Sequence, residues 1–269
     1  MSAAAQIMEQ PGDVMSPSSC NQFLSCGCKW YYRKIARLPD PATGSIALGA
    51  AVHYALGANF AEKCESMRDL PVEGVVAIYR DAWEKKLAGK LDGRDELPVE
   101  FRDDEEPAEL KKQGEALVRL YMDKQAHSIQ PAAVELHVAG RIGGVMVQGY
   151  VDLLDVDGRI VDLKTAARKP SDISSDYRLQ VATYVQLTPG ATGKARLDTL
   201  TKTKTPAIVE QEFQIDDADV AATAKLYPLA QKMIRAGAWM PNRSSFMCSR
   251  KYCSFWRACE REWGGHVSE

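Results

Sequence analysis

The stretch from Pro131 to Thr165 constrains this chain most. Before it, apolar residues recur at helical spacing. Within it, Ala133–Ala139, Val145–Asp155 and Arg159–Thr165 alternate or run with Val, Ile and Leu, separated by Gly-rich and Asp-Gly turns. That pattern specifies a three-stranded meander, and helical patterns on both sides of it make the chain an α/β protein with helices flanking the sheet.

The second and third strands also carry charge. Asp162 and Lys164 are two residues apart and share a face, and Asp152 lies on the strand before. Two registers are open. If Val156, Asp157 and Gly158 form a three-residue loop with Gly158 left-handed, Asp155 pairs with Arg159 and Asp152 stands opposite Asp162. A two-residue Asp157-Gly158 turn sets Asp152 against Leu163 and sends Asp162 to the other face. Only the first register gathers two carboxylates and an ammonium. Like charges side by side call for a cation between them. Carboxylates holding a hard divalent ion, with a lysine beside its water, suit phosphodiester hydrolysis. A solvent-exposed ion pair is the plain alternative.

Ser16-Pro17 reads as an N-cap followed by Pro at the first helical position, opening a helix to about Lys34. A second helix runs from about Ile46 to Met67, with Val52, Leu56, Phe60 and Cys64 on its buried side. His53 sits one position off that stripe, between Gly49 and Gly57. Glycine costs about 1 kcal/mol in a helix interior, so the pair points to close approach of a ligand or backbone, or to helix packing. Helices follow at about Val75–Leu87 and Pro107–His127, with an acidic stretch between them. After the meander come a helix from Ser174 to about Leu187, strands near Ala195–Lys202 and Ile208–Gln214, and a helix from Asp216 to about Arg235. Gln180 and Tyr184, at i and i+4, share one helix face. Near the end, Cys248, Cys253 and Cys259 give C-x4-C-x5-C, with Cys26 far upstream. Cys20 and Cys64 read as core residues.

Taken in order, these features resemble the RecB-like branch of the PD-(D/E)XK nucleases, which includes the AddB nuclease domain, CRISPR spacer-acquisition nucleases and phage exonucleases. Ser16-Pro17-Ser18 with Phe23, Cys26 and Trp30–Arg33 is similar to the family's opening. Ala47-Leu48-Gly49 through His53 is similar to its histidine motif, Gly149–Asp152 and Val161–Thr165 to its acidic motifs, and Gln180 to Tyr184 to its glutamine-tyrosine motif. The resemblance implies a restriction-endonuclease-like core with a mixed central sheet, and a Cys-rich C-terminal segment packed near the N-terminal helix. It divides the chain into a flexible 1–15, a nuclease domain at 16–240 and a Cys-rich 241–269.

The resemblance further implies that His53, Asp152, Asp162 and the Leu163 carbonyl ligate Mg²⁺ or Mn²⁺. Lys164 would serve the attacking water, Gln180 and Tyr184 would bind substrate, and Glu135 is a secondary candidate acid. Cys26, Cys248, Cys253 and Cys259 would hold a [4Fe–4S] cluster, with Zn²⁺ as the alternative metal and Cys28 as the rival to Cys26. The expected activity is a DNA exonuclease in recombination, repair or phage replication. DNA with free ends is its substrate, with a recombination or single-strand-annealing partner and an oligomer within its scope. Two alternatives stand beside it: a non-catalytic nucleic-acid-binding or assembly subunit that keeps the fold, and a structural metal module with incidental strand acids.

Charge offers mixed support. The net charge is −2, which does not mark a nucleic-acid binder. Residues 159–204, however, hold nine Lys/Arg against four Asp, a local +5, while residues 92–115 hold ten acids against four bases, a local −6. One face would attract phosphate and the opposite end repel it. The start of the chain lacks the basic and apolar pattern of a signal peptide, and no apolar run is long enough to cross a bilayer. The expected location is the cytoplasm, where cysteines stay reduced or bind metal.

Overall fold

The computed structural model describes residues 11–268, so most of the segment 1–15, expected to be flexible, lies outside the described residues. The elements in chain order are β1 (Val14–Met15), α1 (Pro17–Ser25), α2 (Gly27–Lys34), α3 (Gly44–Ser66), α4 (Val72–Leu87), α5 (Pro107–Lys124), β2 (Pro131–Ile142), β3 (Val145–Asp155), β4 (Ile160–Ala166), α6 (Ser175–Leu187), β5 (Lys194–Thr201), β6 (Ala207–Gln214), α7 (Asp217–Arg235) and α8 (Trp256–Trp263). They form two compact units that alternate along the sequence. The larger comprises residues 41–138 and 150–216, the smaller 11–40, 139–149 and 217–268. These units are drawn differently from the divisions at 15 and 240 suggested by the sequence.

The larger unit is built on a mixed sheet. β3 pairs antiparallel with β4, β4 parallel with β5 along seven residues, and β5 antiparallel with β6. A parallel pair needs a crossover between its strands, which α6 supplies. β5 is buried from Ala195 to Thr201, as expected of a strand covered on both faces, whereas β6 alternates between exposed and half-buried positions at the edge. Helices α3, α4 and α5 form one apolar core with the sheet, in which Phe60, Trp83, Tyr121, Leu163 and Leu200 pack together. Tyr121 donates its hydroxyl to Asp198 (2.7 Å), which also receives both prongs of Arg196 (2.8 and 2.9 Å). Arg196 and Asp198 are buried, so Arg196 belongs to the core and not to the basic surface counted from sequence. Arg159 is likewise engaged, by Asp155 and Glu212.

In the smaller unit β1 runs parallel to residues 146 and 147 of β3. Ser16 caps α1 by accepting from the Ser19 amide (3.1 Å). The single helix expected to Lys34 is interrupted at Cys26, which is extended (φ −163°, ψ 108°). The cause lies in Gly27, against which the backbone of Trp239 and Met240 passes so closely that a Cβ would meet it at 3.1 Å. The Cys28 amide donates to the Met240 carbonyl (3.3 Å) at that crossing. The Cys-rich tail packs here as expected: Phe255 and Cys259 cluster with Cys28 and Tyr32, and Tyr32 donates to Glu262 (2.7 Å).

Candidate active site

The hairpin between β3 and β4 takes the three-residue loop. Leu153 pairs with Val161 and Leu154 with Ile160, and the Asp155 amide donates to the Arg159 carbonyl (3.0 Å). Gly158 is left-handed (φ +73°), and a Cβ there would strike the Gly190 carbonyl. Asp155 locks the loop by accepting from the amides of Asp157 (3.0 Å) and Arg159 (2.8 Å). One step further in this register, Asp152 comes level with Asp162, and the Leu163 amide donates to Asp152 Oδ2 (3.1 Å).

Helix α3 presents His53 to these strands. Its Nε2 lies 2.8 Å from Asp152 Oδ2 and its Nδ1 3.4 Å from Glu135 Oε1. The ligand atoms of His53, Glu135 and Asp152 all lie within 4.8 Å of one another. Burial pushes the imidazole down, but the Asp152 and then the Glu135 carboxylates outweigh it and hold His53 at about 9. Asp152 is raised by burial but lowered more by His53 and Lys164, so its carboxyl titrates below the ordinary range. Glu135 reaches the site from a strand residue with φ +47°, a left-handed conformation that a side chain other than glycine rarely adopts.

Asp162 stands beside this trio. Its Oδ1 accepts from the Gln180 amide (2.9 Å). Its buried Oδ2 lies 2.7 Å from Lys164 Nζ and accepts no well-aligned hydrogen bond. Burial, then the charge of Asp152, push the Asp162 carboxyl upward. Burial favours a neutral Lys164, yet Asp162 and Asp152 hold it firmly as an ammonium. Of the expected substrate-binding pair, Gln180 therefore grips Asp162, and Tyr184 is buried and hydrogen-bonded to Gln180. Sequence reading missed Tyr177, whose ring lies under the Lys164 ammonium (5.6 Å to the centroid). The signal was present: Tyr177, Gln180 and Tyr184 recur at i, i+3 and i+7 on α6, one helix face.

Two clefts meet at His53. One, of about 400 Å³, runs past Gly49, Lys164, Thr165 and Lys202. The other, of about 600 Å³, passes Tyr54, Gly57, Arg94, Glu135 and Tyr150. The flanking glycines thus have separate reasons. A Cβ on Gly49 would sit 2.8 Å from Thr165 Oγ1, whereas Gly57 has nothing within 4 Å and opens onto the second cleft.

In the smaller unit Cys26, Cys28, Cys248, Cys253 and Cys259 line one small cavity. Burial above all raises the Cys253 and Cys259 thiols, and among the weaker influences both feel Cys26 and Cys248. Burial, then Cys26 and Cys259, push Cys28 up to about 12.

Comparison with known proteins matches residues 14–260 to the PD-(D/E)XK nuclease superfamily. None of the curated proteins compared matches the chain. Among solved structures, the chain is similar to a provisionally assigned exonuclease from Eubacterium rectale. The two are 14% identical, with 97% of this chain and 93% of that one covered and a TM-score of 0.54, a likeness of fold. A second structure, of the protein SSO0001, is 14% identical over 89% of this chain and 95% of that one, with a TM-score of 0.37, too low to bear on the fold. No helix among the described residues is long and apolar enough to cross a membrane.

Proposed function

This chain belongs to the PD-(D/E)XK nuclease superfamily, and we propose that within it the protein is a magnesium- or manganese-dependent deoxyribonuclease that works from DNA ends. The observation that carries this reading is the convergence of the His53 imidazole with the Asp152 and Glu135 carboxylates, beside the buried Asp162–Lys164 pair. Hard oxygen donors with one imidazole suit a small divalent ion. His53, Asp152 and Glu135 would hold it, with Asp162 and the Leu163 carbonyl as the further donors. Such an ion supplies charge neutralisation at the scissile phosphate and acidifies its bound water.

The chain's own residues do the rest. Lys164 stays an ammonium, so it orients the attacking water and offsets phosphate charge rather than taking a proton. Gln180 fixes the Asp162 carboxylate, and Tyr184 fixes Gln180, so the pair acts on substrate through Asp162. DNA end processing in recombination, repair or phage replication, in the cytoplasm and alongside a single-strand-annealing partner, is the setting that this reading favours. The test is cleavage of end-labelled linear, nicked and circular DNA with Mn²⁺, comparing wild type with Asp162→Ala. Loss of linear DNA by the wild type alone supports the reading. Equal loss from both proteins refutes the site, and binding without cleavage leaves a nucleic-acid-binding subunit.

For the smaller unit we propose a [4Fe–4S] cluster on Cys26, Cys248, Cys253 and Cys259. The shared cavity supports it. Anaerobic purification with visible absorption and iron and zinc analysis decides, and a colourless, metal-free, stable protein rejects the cluster.

A further inference from the structure

The cleft between the start of α3 and the ends of β4 and β5 contains a cation without an acid partner. Lys202 follows β5, is half-buried, and donates its Nζ to the Ser45 carbonyl (3.1 Å). Among the described residues no carboxylate oxygen comes within ion-pairing distance of it. Glu105, the acid whose charge it feels most, is already occupied: it accepts from the amides of Gly44 (2.9 Å) and Ser45 (2.8 Å) and pairs with Arg102 (3.1 Å). An ammonium withdrawn from water with only a carbonyl to face is unfavourable, which burial expresses by lowering its proton affinity.

Lys202 lines the same cleft as His53, Lys164 and Thr165. Its amide donates to the Ala166 carbonyl (2.7 Å), which places it three residues beyond Lys164 in the β4–β5 register. That is roughly 10 Å along the strands at about 3.3 Å per residue. The spacing reaches a phosphate near the one being cleaved, not the same one. The second cleft differs. It carries Asp92, Glu96 and Glu135, and its lysine and arginine are engaged, Lys86 by Glu96 and Arg94 by Asp92 (3.7 Å). Of the cations lining the two clefts, Lys164 is held by Asp162, and Lys202 alone has no acid partner.

We infer that Lys202 binds a backbone phosphate of the substrate strand adjacent to the scissile one, so that the strand runs along the cleft beside the start of α3. The inference rests on the nuclease reading above. It names a binding residue that acts on affinity, and it distinguishes this cleft from the acid-lined one. A purely structural role, tying the end of β5 to α3, predicts a change in stability and nothing else.

The experiment is steady-state cleavage of a short linear DNA with Mn²⁺ over a salt series, for wild type, Lys202→Gln and Lys202→Arg, with thermal melts of each. Loss of one charge-assisted hydrogen bond raises KM about tenfold or more in Lys202→Gln. The effect falls on KM and not on kcat. The slope of log(kcat/KM) against log salt becomes shallower by about 0.7–0.9, one phosphate contact, and Lys202→Arg recovers both. KM and salt slope equal to wild type in Lys202→Gln overturn the inference. If Lys202→Gln does not fold, Lys202→Met keeps the alkyl stem for the same measurement, and failure of both to fold makes the residue structural and also overturns it. A wild type that does not cleave removes the nuclease reading, and this inference with it.

Discussion

Divalent-ion binding at His53 is expected to depend steeply on pH, because the resting site holds the imidazole as a cation. The Asp152 and Glu135 carboxylates raise His53 to about 9, and an imidazole binds a metal only when the ligating nitrogen has lost its proton. At pH 7 about one molecule in 100 has His53 neutral. Apparent Mg²⁺ affinity therefore rises about 50-fold between pH 7 and pH 9, roughly 2.3 kcal/mol, and flattens above that. A histidine with an ordinary value near 6.5 would give a change of about 1.3-fold over the same range. Titration calorimetry in two buffers of different ionisation heat counts the protons directly: about 1 released per ion at pH 7, against about 0.2 for an unperturbed imidazole. Asp162→Asn is the control, since that carboxyl is also pushed upward and would add its own proton. His53→Gln should bind more weakly and lose the pH dependence. Fewer than about 0.3 protons at pH 7, or affinity that changes less than about twofold between pH 7 and 9, would refute the account of the imidazole as a ligand held in ionic form by its neighbours.

Other expectations concern stability. Asp198→Ala leaves buried Arg196 with only the exposed Glu210 (3.2 Å) as an acid partner and should cost about 3–5 kcal/mol in urea unfolding; a cost below about 1 kcal/mol would mean that Glu210 and water suffice for the guanidinium. In chelator, the raised His53 contributes stability that is complete below its unfolded value near 6.5 and is lost as pH rises through about 9. Metal-free protein should thus lose roughly 2–3 kcal/mol between those limits, and His53→Gln should be flatter. Glu135→Gly should weaken Mg²⁺ binding while leaving thermal stability unchanged or higher, and a fall in both would show that the carboxylate serves the fold.

Much of this architecture is legible in the letters. Val145–Asp155 was read to its ends because alternation is sharp there and Asp157-Gly158 marks the turn. The register followed from requiring Asp152 and Asp162 on one face, which Gly158 permits by being left-handed. His53, Asp152, Asp162, Lys164 and Gln180, far apart in the chain, lie side by side. What stayed hidden depends on distant contacts. The break at Cys26 is imposed by backbone from residues 239 and 240 crossing Gly27, and local helix propensity carries no trace of that crossing. Arg196 counted as surface charge because composition cannot tell a buried arginine paired with Asp198 from a solvated one. Tyr177 was missed for a different reason: a tyrosine one turn before Gln180 reads as ordinary amphipathicity until a lysine from another strand is placed over its ring.

Glu135 shows why the candidate metal ligands could not be ranked from sequence. On a regular strand, a glutamate at that position is one of several alternating side chains, and surface exposure is its ordinary fate. The left-handed backbone at Glu135 costs about 1–2 kcal/mol for a residue with a Cβ. Such a conformation persists only where the surroundings enforce it, and it concentrates at functional sites. It brings the carboxylate within 3.4 Å of His53 Nδ1, where it meets a cation that Asp152 already holds on the other side (2.8 Å). Stability alone gives no reason to bring a second carboxylate to this imidazole, since the first already balances its charge. A divalent ion does give one, because its two charges need more than a single acid, and replacing the imidazole's proton by that ion turns a crowded anionic pocket into a neutral one.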